Sequence, residues 1–207
     1  GNGKVQLKIS PIYKISDFGN FHEFHNHLKE NAPKINLAEQ GNLIQIKGIS
    51  HASLDLQDAQ VAERQAKSAE IILNKFKCPV SIDINYSRTL STGSGITLWA
   101  IFSLKKDEVD VNNPLRLGAD ALGERGKKAE IVGKEAAEKL IKEIESKDPV
   151  DAHLADQIVP LMSLISNSKI KTSKITNHTR TNIYTIEKFF GKIFSIDESN
   201  NIISTNL

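Results

Sequence analysis

The run Asn177-His178-Thr179-Arg180-Thr181-Asn182 places an imidazole among hydroxyls, amides and a guanidinium, directly ahead of an amphipathic stretch of helical period. Those residue types suit a nucleophile for phosphorus. An imidazole is in good part neutral and nucleophilic at physiological pH. The free N–H groups of a following helix would stabilise anionic charge, and Arg180 adds a cation whose fork matches a phosphate. Between residues 169 and 192 lie Lys169, Lys171, Lys174, Arg180, Lys188 and Lys192 against Glu187, six cations less one acid, an excess of five that would draw phosphates. A capping histidine on a solvated lysine-rich surface is the competing reading.

A second polar constellation lies upstream. His153, Asp156, Gln157 and Pro160 follow one another at i, i+3, i+4 and i+7, so a ring, a carboxylate and an amide would share one side of a helix, a set able to orient a ligand or simply to face water. His22, His25 and His27 also invite a metal reading, but their spacing fits neither a zinc finger nor a helix-borne pair with its acid. A surface element is the expectation there, with no role assigned. Cys78 is the single cysteine, which rules out an intrachain disulfide and a thiolate metal site built from this chain alone.

The elements that must position these residues are legible as periodicities. Val5, Leu7 and Ile9 alternate with Lys4, Gln6 and Lys8, which predicts a half-buried strand at the start of the chain, in need of partners. A strand through Leu43–Ile49, a helix over 57–77, strands in "PVSIDINYS" and "GITLWAIFSL", and a helix over 127–146 make a strand, helix, strand, strand, helix series. That order predicts an α+β unit with its helices on one face of a sheet. A new unit opens at Asp148, a candidate cap before Pro149, with Val150, Leu154, Ile158, Leu161 and Ile165 as its apolar stripe. A short strand in "SKIKTSKIT", a helix through Ile183, Ile186, Phe189 and Phe190 ended by Gly191, and a hairpin turning at Asn200 and Asn201 complete the chain.

Composition bounds the class. A chain of 207 residues that is 39% hydrophobic and 25% charged has the make-up of a water-soluble fold, and its formal charge of +2 is too small to mark a nucleic-acid binder by itself. The apolar runs are far shorter than the roughly 20 residues that span a bilayer, and no signal-peptide pattern opens the chain. A cytoplasmic location without membrane contact is the expectation. Walker-type loops, Gly-x-Gly-x-x-Gly, Cys-x-x-Cys and Gly-x-Ser-x-Gly are all missing from the sequence.

"HLADQIVPLMSL", followed some twenty residues on by "NHTRTNIYTIEKFF", resembles the C-terminal part of the RNA 3'-terminal phosphate cyclases. "GNGKVQLKISPI", "VAERQAKSAE" and "LGERGKKAEIVGKEAAEKLIKEI" extend the resemblance in family order over nearly the whole chain. It implies an α+β fold in which a large domain of repeated βαβαββ units, enolpyruvate-transferase-like, is interrupted by a small inserted domain. Here 1–36 and 148–207 would belong to the large domain and 37–147 to the insert. It also implies ATP-dependent closure of an RNA 3'-phosphate into a 2',3'-cyclic phosphate through a histidine–AMP intermediate, with a divalent metal (Mg or Mn). The nucleophile falls on His178, and the ATP-binding motif on His153, Leu154, Ala155, Asp156 and Gln157, with His153 departing from the tyrosine that relatives often carry. The family's N-terminal half has no counterpart, so the expectation is a C-terminal portion that pairs with a missing half or with itself. A non-catalytic cyclase-like factor of ribosomal RNA processing is the alternative, disfavoured by His178. An enolpyruvyl transferase finds no support in the motifs.

Overall fold

A computed structural model describes residues 6–105 and 115–206, and they form a mixed α+β chain with two sheets and five helices. Among the described residues the expected N-terminal strand is not formed. Residues 6–11 join no sheet, and Leu7, Ile9 and Ile12 are exposed; Lys4 and Val5 lie outside the described residues. Alternation marks a segment fit to be a strand, but only a hydrogen-bonding neighbour makes it one, and the described residues supply none. The histidine-bearing region, expected as a surface element, contains helix α1 (Phe21–Asn31), capped by the Asn20 side chain accepting from the Glu23 N–H. Strand β1 (Asn36–Leu37) follows.

Residues 39–151 make one unit. Its elements are β2 (Asn42–Ser53), α2 (Val61–Leu73), β3 (Val80–Ser87), β4 (Ser94–Ser103), β5 (Leu115–Leu122) and α3 (Ala129–Ser146). The sheet order is β3-β2-β4-β5, with β2 and β3 parallel across the α2 crossover and the other pairs antiparallel. Helices α2 and α3 pack together and on one sheet face. The core between them includes Ile46, Leu73, Leu98, Phe102, Leu117 and Leu140. A Cβ on Gly133 would stand 2.0 Å from the Gln65 carbonyl oxygen, so only glycine allows the two helices this approach. The fully buried Gln65 side chain is satisfied on both ends, accepting from Ser50 Oγ at 3.0 Å and donating to Ser94 Oγ at 2.8 Å. The expected series lacked β5. In that strand Leu117 and Ala121 face the core, but Ala, Gly and Asp at the intervening positions blur the alternation that marks a strand.

Residues 1–38 and 152–207 make the other unit. After α4 (Ala152–Met162) come β6 (Lys169–Lys171), α5 (Asn177–Phe190), β7 (Phe194–Asp197) and β8 (Ile202–Thr205). The strand order is β1-β6-β8-β7, with β1 and β6 parallel and the rest antiparallel. Helix α4 begins three residues after Pro149, and its buried residues are Ala155, Val159 and Met162, whereas Leu161 of the expected stripe is exposed. The side turned inward, through Ala155, Val159 and Met162, lies one position round the helix from the expected Leu154, Ile158 and Leu161. Helix α1 is held to the segment after α4: His25 lies within hydrogen-bond reach of the Ser163 carbonyl at 3.2 Å, and Ser166 Oγ donates to the Lys29 carbonyl at 2.7 Å.

Candidate active site

Thr176 caps α5, its Oγ1 accepting from the Thr179 N–H at 3.1 Å, which puts His178 at the second helical position. There the imidazole is exposed and has no hydrogen bond or ion pair to another side chain or backbone group among the described residues. The N–H groups of Asn177 and His178 also have no protein acceptor among those residues, while the Arg180 N–H closes the first turn onto the Thr176 carbonyl. Orphan donors and the positive end of the helix dipole thus surround a free imidazole, a setting that favours an anion beside it.

Helix α4 packs against α5, and one polar contact sets the register. Asn182, one turn beyond His178, donates from Nδ2 to the Asp156 carbonyl at 2.8 Å. That carbonyl is available because the residue four positions on is Pro160, which has no N–H to give it. His153, Gln157 and Pro160 are exposed and Asp156 half-buried, so the polar side expected of this helix is the uncovered one, while Ala155 is fully buried and Leu154 partly so. The Asp156 carboxylate forms no hydrogen bond or ion pair within the protein among the described residues. The fold therefore brings the His178 and Asp156–Gln157 segments into one helix pair, with an unengaged imidazole on one member and an unengaged carboxylate on the other.

Arg180 does something else. Its guanidinium makes a two-pronged ion pair with Glu198 in the β7–β8 turn, at 2.5 and 2.7 Å, and that bond is the main reason the Glu198 carboxyl is held below its usual range. Asp197 beside it is also pulled down, chiefly by Asn200 and in small part by Lys169. The basic segment read from the sequence is thus partly neutralised by a hairpin whose acids follow it in the chain. The cations that remain exposed include Lys174, Lys192 and Lys188, the last lying over the Tyr184 ring at 4.7 Å.

The three histidines of α1 do not converge on a point. His25 is buried against Phe190, with ring centroids 5.1 Å apart; His22 Nε2 accepts from Asn26 at 3.1 Å; His27 packs edge-on to Tyr13. Among the described residues no group of three or more His, Cys, Asp or Glu could hold a metal ion, and no helix is long and apolar enough to cross a membrane. A shallow recess lined by Leu54, Asp55, Arg88 and residues 89–92 lies in the other unit and contains none of the candidate residues.

The sequence pattern of the RNA 3'-terminal phosphate cyclase (RTC) insert domain matches residues 38–145, more than half of the chain. The chain belongs to the RNA 3'-terminal phosphate cyclase family. Among curated relatives bearing that name, the protein of Pyrococcus abyssi is 46% identical over 156 residues, covering 75% of this chain and 42% of the relative. That of Pyrobaculum aerophilum is 44% identical over 200 residues, 96% of this chain and 49% of the relative, and that of Staphylothermus marinus 41% identical over 191 residues, 88% and 46%. The chain spans less than half the length of these relatives.

Proposed function

We propose that this member of the cyclase family uses ATP to convert an RNA 3'-phosphate into a 2',3'-cyclic phosphate, with His178 as the nucleophile. The observation that carries the proposal is the exposed, unengaged imidazole at the second position of α5, packed in one helix pair with the free carboxylate of Asp156. An imidazole nitrogen attacks the α-phosphorus of ATP, an N–P bond forms and diphosphate leaves. The RNA 3'-phosphate oxygen then attacks that phosphorus, taking AMP and freeing the imidazole. Finally the vicinal 2'-hydroxyl attacks the activated phosphate, losing its proton as the ring closes and AMP departs. The N–H groups of Asn177 and His178, left without a protein acceptor beside the imidazole, would stabilise charge developing on the attacked phosphate. His153, Leu154, Ala155, Asp156 and Gln157 are assigned to ATP, with Asp156 and Gln157 orienting it by hydrogen bonds and the His153 ring stacking on its base. Magnesium or manganese enters as the ATP complex, since Mg2+ commonly rides on substrate phosphates with few protein ligands. The run β6–α5–β7–β8 has the βαββ ending of the repeated unit, which supports the enolpyruvate-transferase-like large domain as part of the same reading.

The test joins this chain into the Pyrococcus abyssi relative in place of the matching stretch and incubates it with ATP labelled on the α-phosphate and Mg2+. An acid-labile, base-stable adduct is expected in the parent and none in His178→Ala. Asp156→Ala should cut labelling at least about tenfold while moving stability by no more than about 0.5 kcal/mol, since the Asn182 bond uses its backbone carbonyl and not its carboxylate. Label on His178→Ala overturns the nucleophile, and an unlabelled parent overturns the whole reading.

A further inference from the structure

Helices α2 and α3 cover one face of the β3-β2-β4-β5 sheet, and the other face carries the only tryptophan of the chain. Strand parity puts Lys47, Ile49 and His51 of β2 on that face, with Thr97 and Trp99 of β4 and Arg116, Gly118 and Asp120 of β5. Trp99 is half-buried and paired across the ladder with Lys47 on one side and Gly118 on the other; Arg116 stands diagonally, opposite Ile101. Both cations are exposed, and among the described residues neither has an acidic partner nor lies over the indole. Gly118 leaves a gap: nothing but the Leu98 carbonyl, at 3.8 Å, lies within 4 Å of where its Cβ would stand, so the indole does not close over it. The face also has two carboxylates, Asp83 and Asp120, but they lie on the outer strands in the next row of the ladder, with Ile49 and Thr97 between them. Positive charge therefore lies in the tryptophan's own row, at Lys47, and in the row on one side of it, at Arg116, while the carboxylates lie in the row on the other side.

We propose that this open sheet face binds single-stranded RNA, one base stacking on Trp99 over the gap at Gly118 and the flanking phosphates meeting Lys47 and Arg116. A half-exposed ring between two unpaired cations complements the flat base and paired charges of a nucleotide. Exposed Lys47 and His51 alternating along β2 are poorly suited to a dry protein interface, where charged residues are depleted. Every base has a stacking face, so the site tolerates sequence, and a duplex, whose bases are already stacked, is excluded from it. This surface, which acts by binding only, belongs to residues 39–151, whereas the helix pair that bears His178 belongs to the other unit.

Because Trp99 is the only tryptophan, its own fluorescence reports the contact. The 207-residue chain is titrated, without ATP, with a ten-nucleotide oligoadenylate ending in a 3'-hydroxyl, which cannot enter the proposed reaction. Quenching of the indole emission is expected, absent with duplex RNA. In fluorescence polarisation with a labelled strand, Trp99→Ala should weaken binding about tenfold and Trp99→Phe much less. Lys47→Ala and Arg116→Ala should each reduce the slope of log affinity against log salt by about 0.7. A thermal melt confirms that each variant folds, and the two charge variants, far from the core, keep the test open should Trp99→Ala unfold. Unquenched emission on saturation, or affinity equal to the parent's in the three alanine variants, overturns the proposal, as does concentration-dependent self-association that Trp99→Ala abolishes, which would assign the face to a second copy. No outcome of the ATP-labelling test bears on these readouts.

Discussion

His25 and His178 lie in the same unit and differ in surroundings, and the difference sets what each can do. His25 is buried, and desolvation first, then Lys29 and to a smaller extent His22, hold its pKa below the ordinary 6.5, against the opposing hydrogen bond to the Ser163 carbonyl. Between the lowered value and 6.5 the unfolded chain binds a proton that the folded chain refuses. Stability is therefore complete above that window and falls as the pH drops through it. Melting temperature is expected to decline from about pH 7.5 to about pH 5.5, and His25→Gln, which keeps a donor for the Ser163 carbonyl but does not titrate, should flatten the decline. Equal slopes in the two proteins would show that His25 is not the group responsible. His178, exposed and unengaged, has no such task in the fold, so its replacement should leave stability within about 0.5 kcal/mol while removing the ATP-derived label.

At the scale of elements, the contact between α4 and α5 turns on a missing hydrogen atom. Pro160 cannot donate to the Asp156 carbonyl, and Asn182 does so from the neighbouring helix. Asn182→Ala leaves that part-buried carbonyl without a partner, at an expected cost of about 1–3 kcal/mol in chemical denaturation. In a Pro160→Ala background the restored backbone N–H can take over, and the same substitution should cost clearly less. A cost unchanged by Pro160→Ala would mean that Asn182 acts through packing and not through this bond. The bond also fixes where residue 156 stands relative to the start of α5.

The molecule as a whole divides where its contacts divide. Residues 39–151 contain both helices and all four strands of one sheet, and a continuous core from Ile46 through Leu98 to Leu140 closes within them. Expressed alone, residues 38–151 should fold and unfold in a single cooperative denaturant transition, with probes of helix and of Trp99 coinciding. Non-coincident transitions, or an unfolded chain, would show that the unit depends on the remainder.

Several features were legible because they are local. The strong alternation of Leu43–Ile49, the uninterrupted helical period of α2 and α3, the helix stop at Gly191 and the Asn-rich hairpin turn each declare themselves within a few residues, and the motifs around His153 and His178 carried the family resemblance in their order. What tertiary structure alone decided depends on partners distant in sequence. Leu7 and Ile9 alternate as well as any strand yet join no sheet among the described residues, while β5, with its weaker pattern, is a strand because β4 offers it a ladder. His25 reads as part of a surface element with His22 and His27 until Ser163 and Phe190 enclose it. Arg180 reads as a phosphate-binding cation until the hairpin delivers Glu198, eighteen residues on, to its guanidinium. Sequence determined which segments could become helix or strand, because backbone preference and apolar period act over one or two turns. Which charges stay free for chemistry was decided only when the chain folded back and brought the competing partners within hydrogen-bond reach.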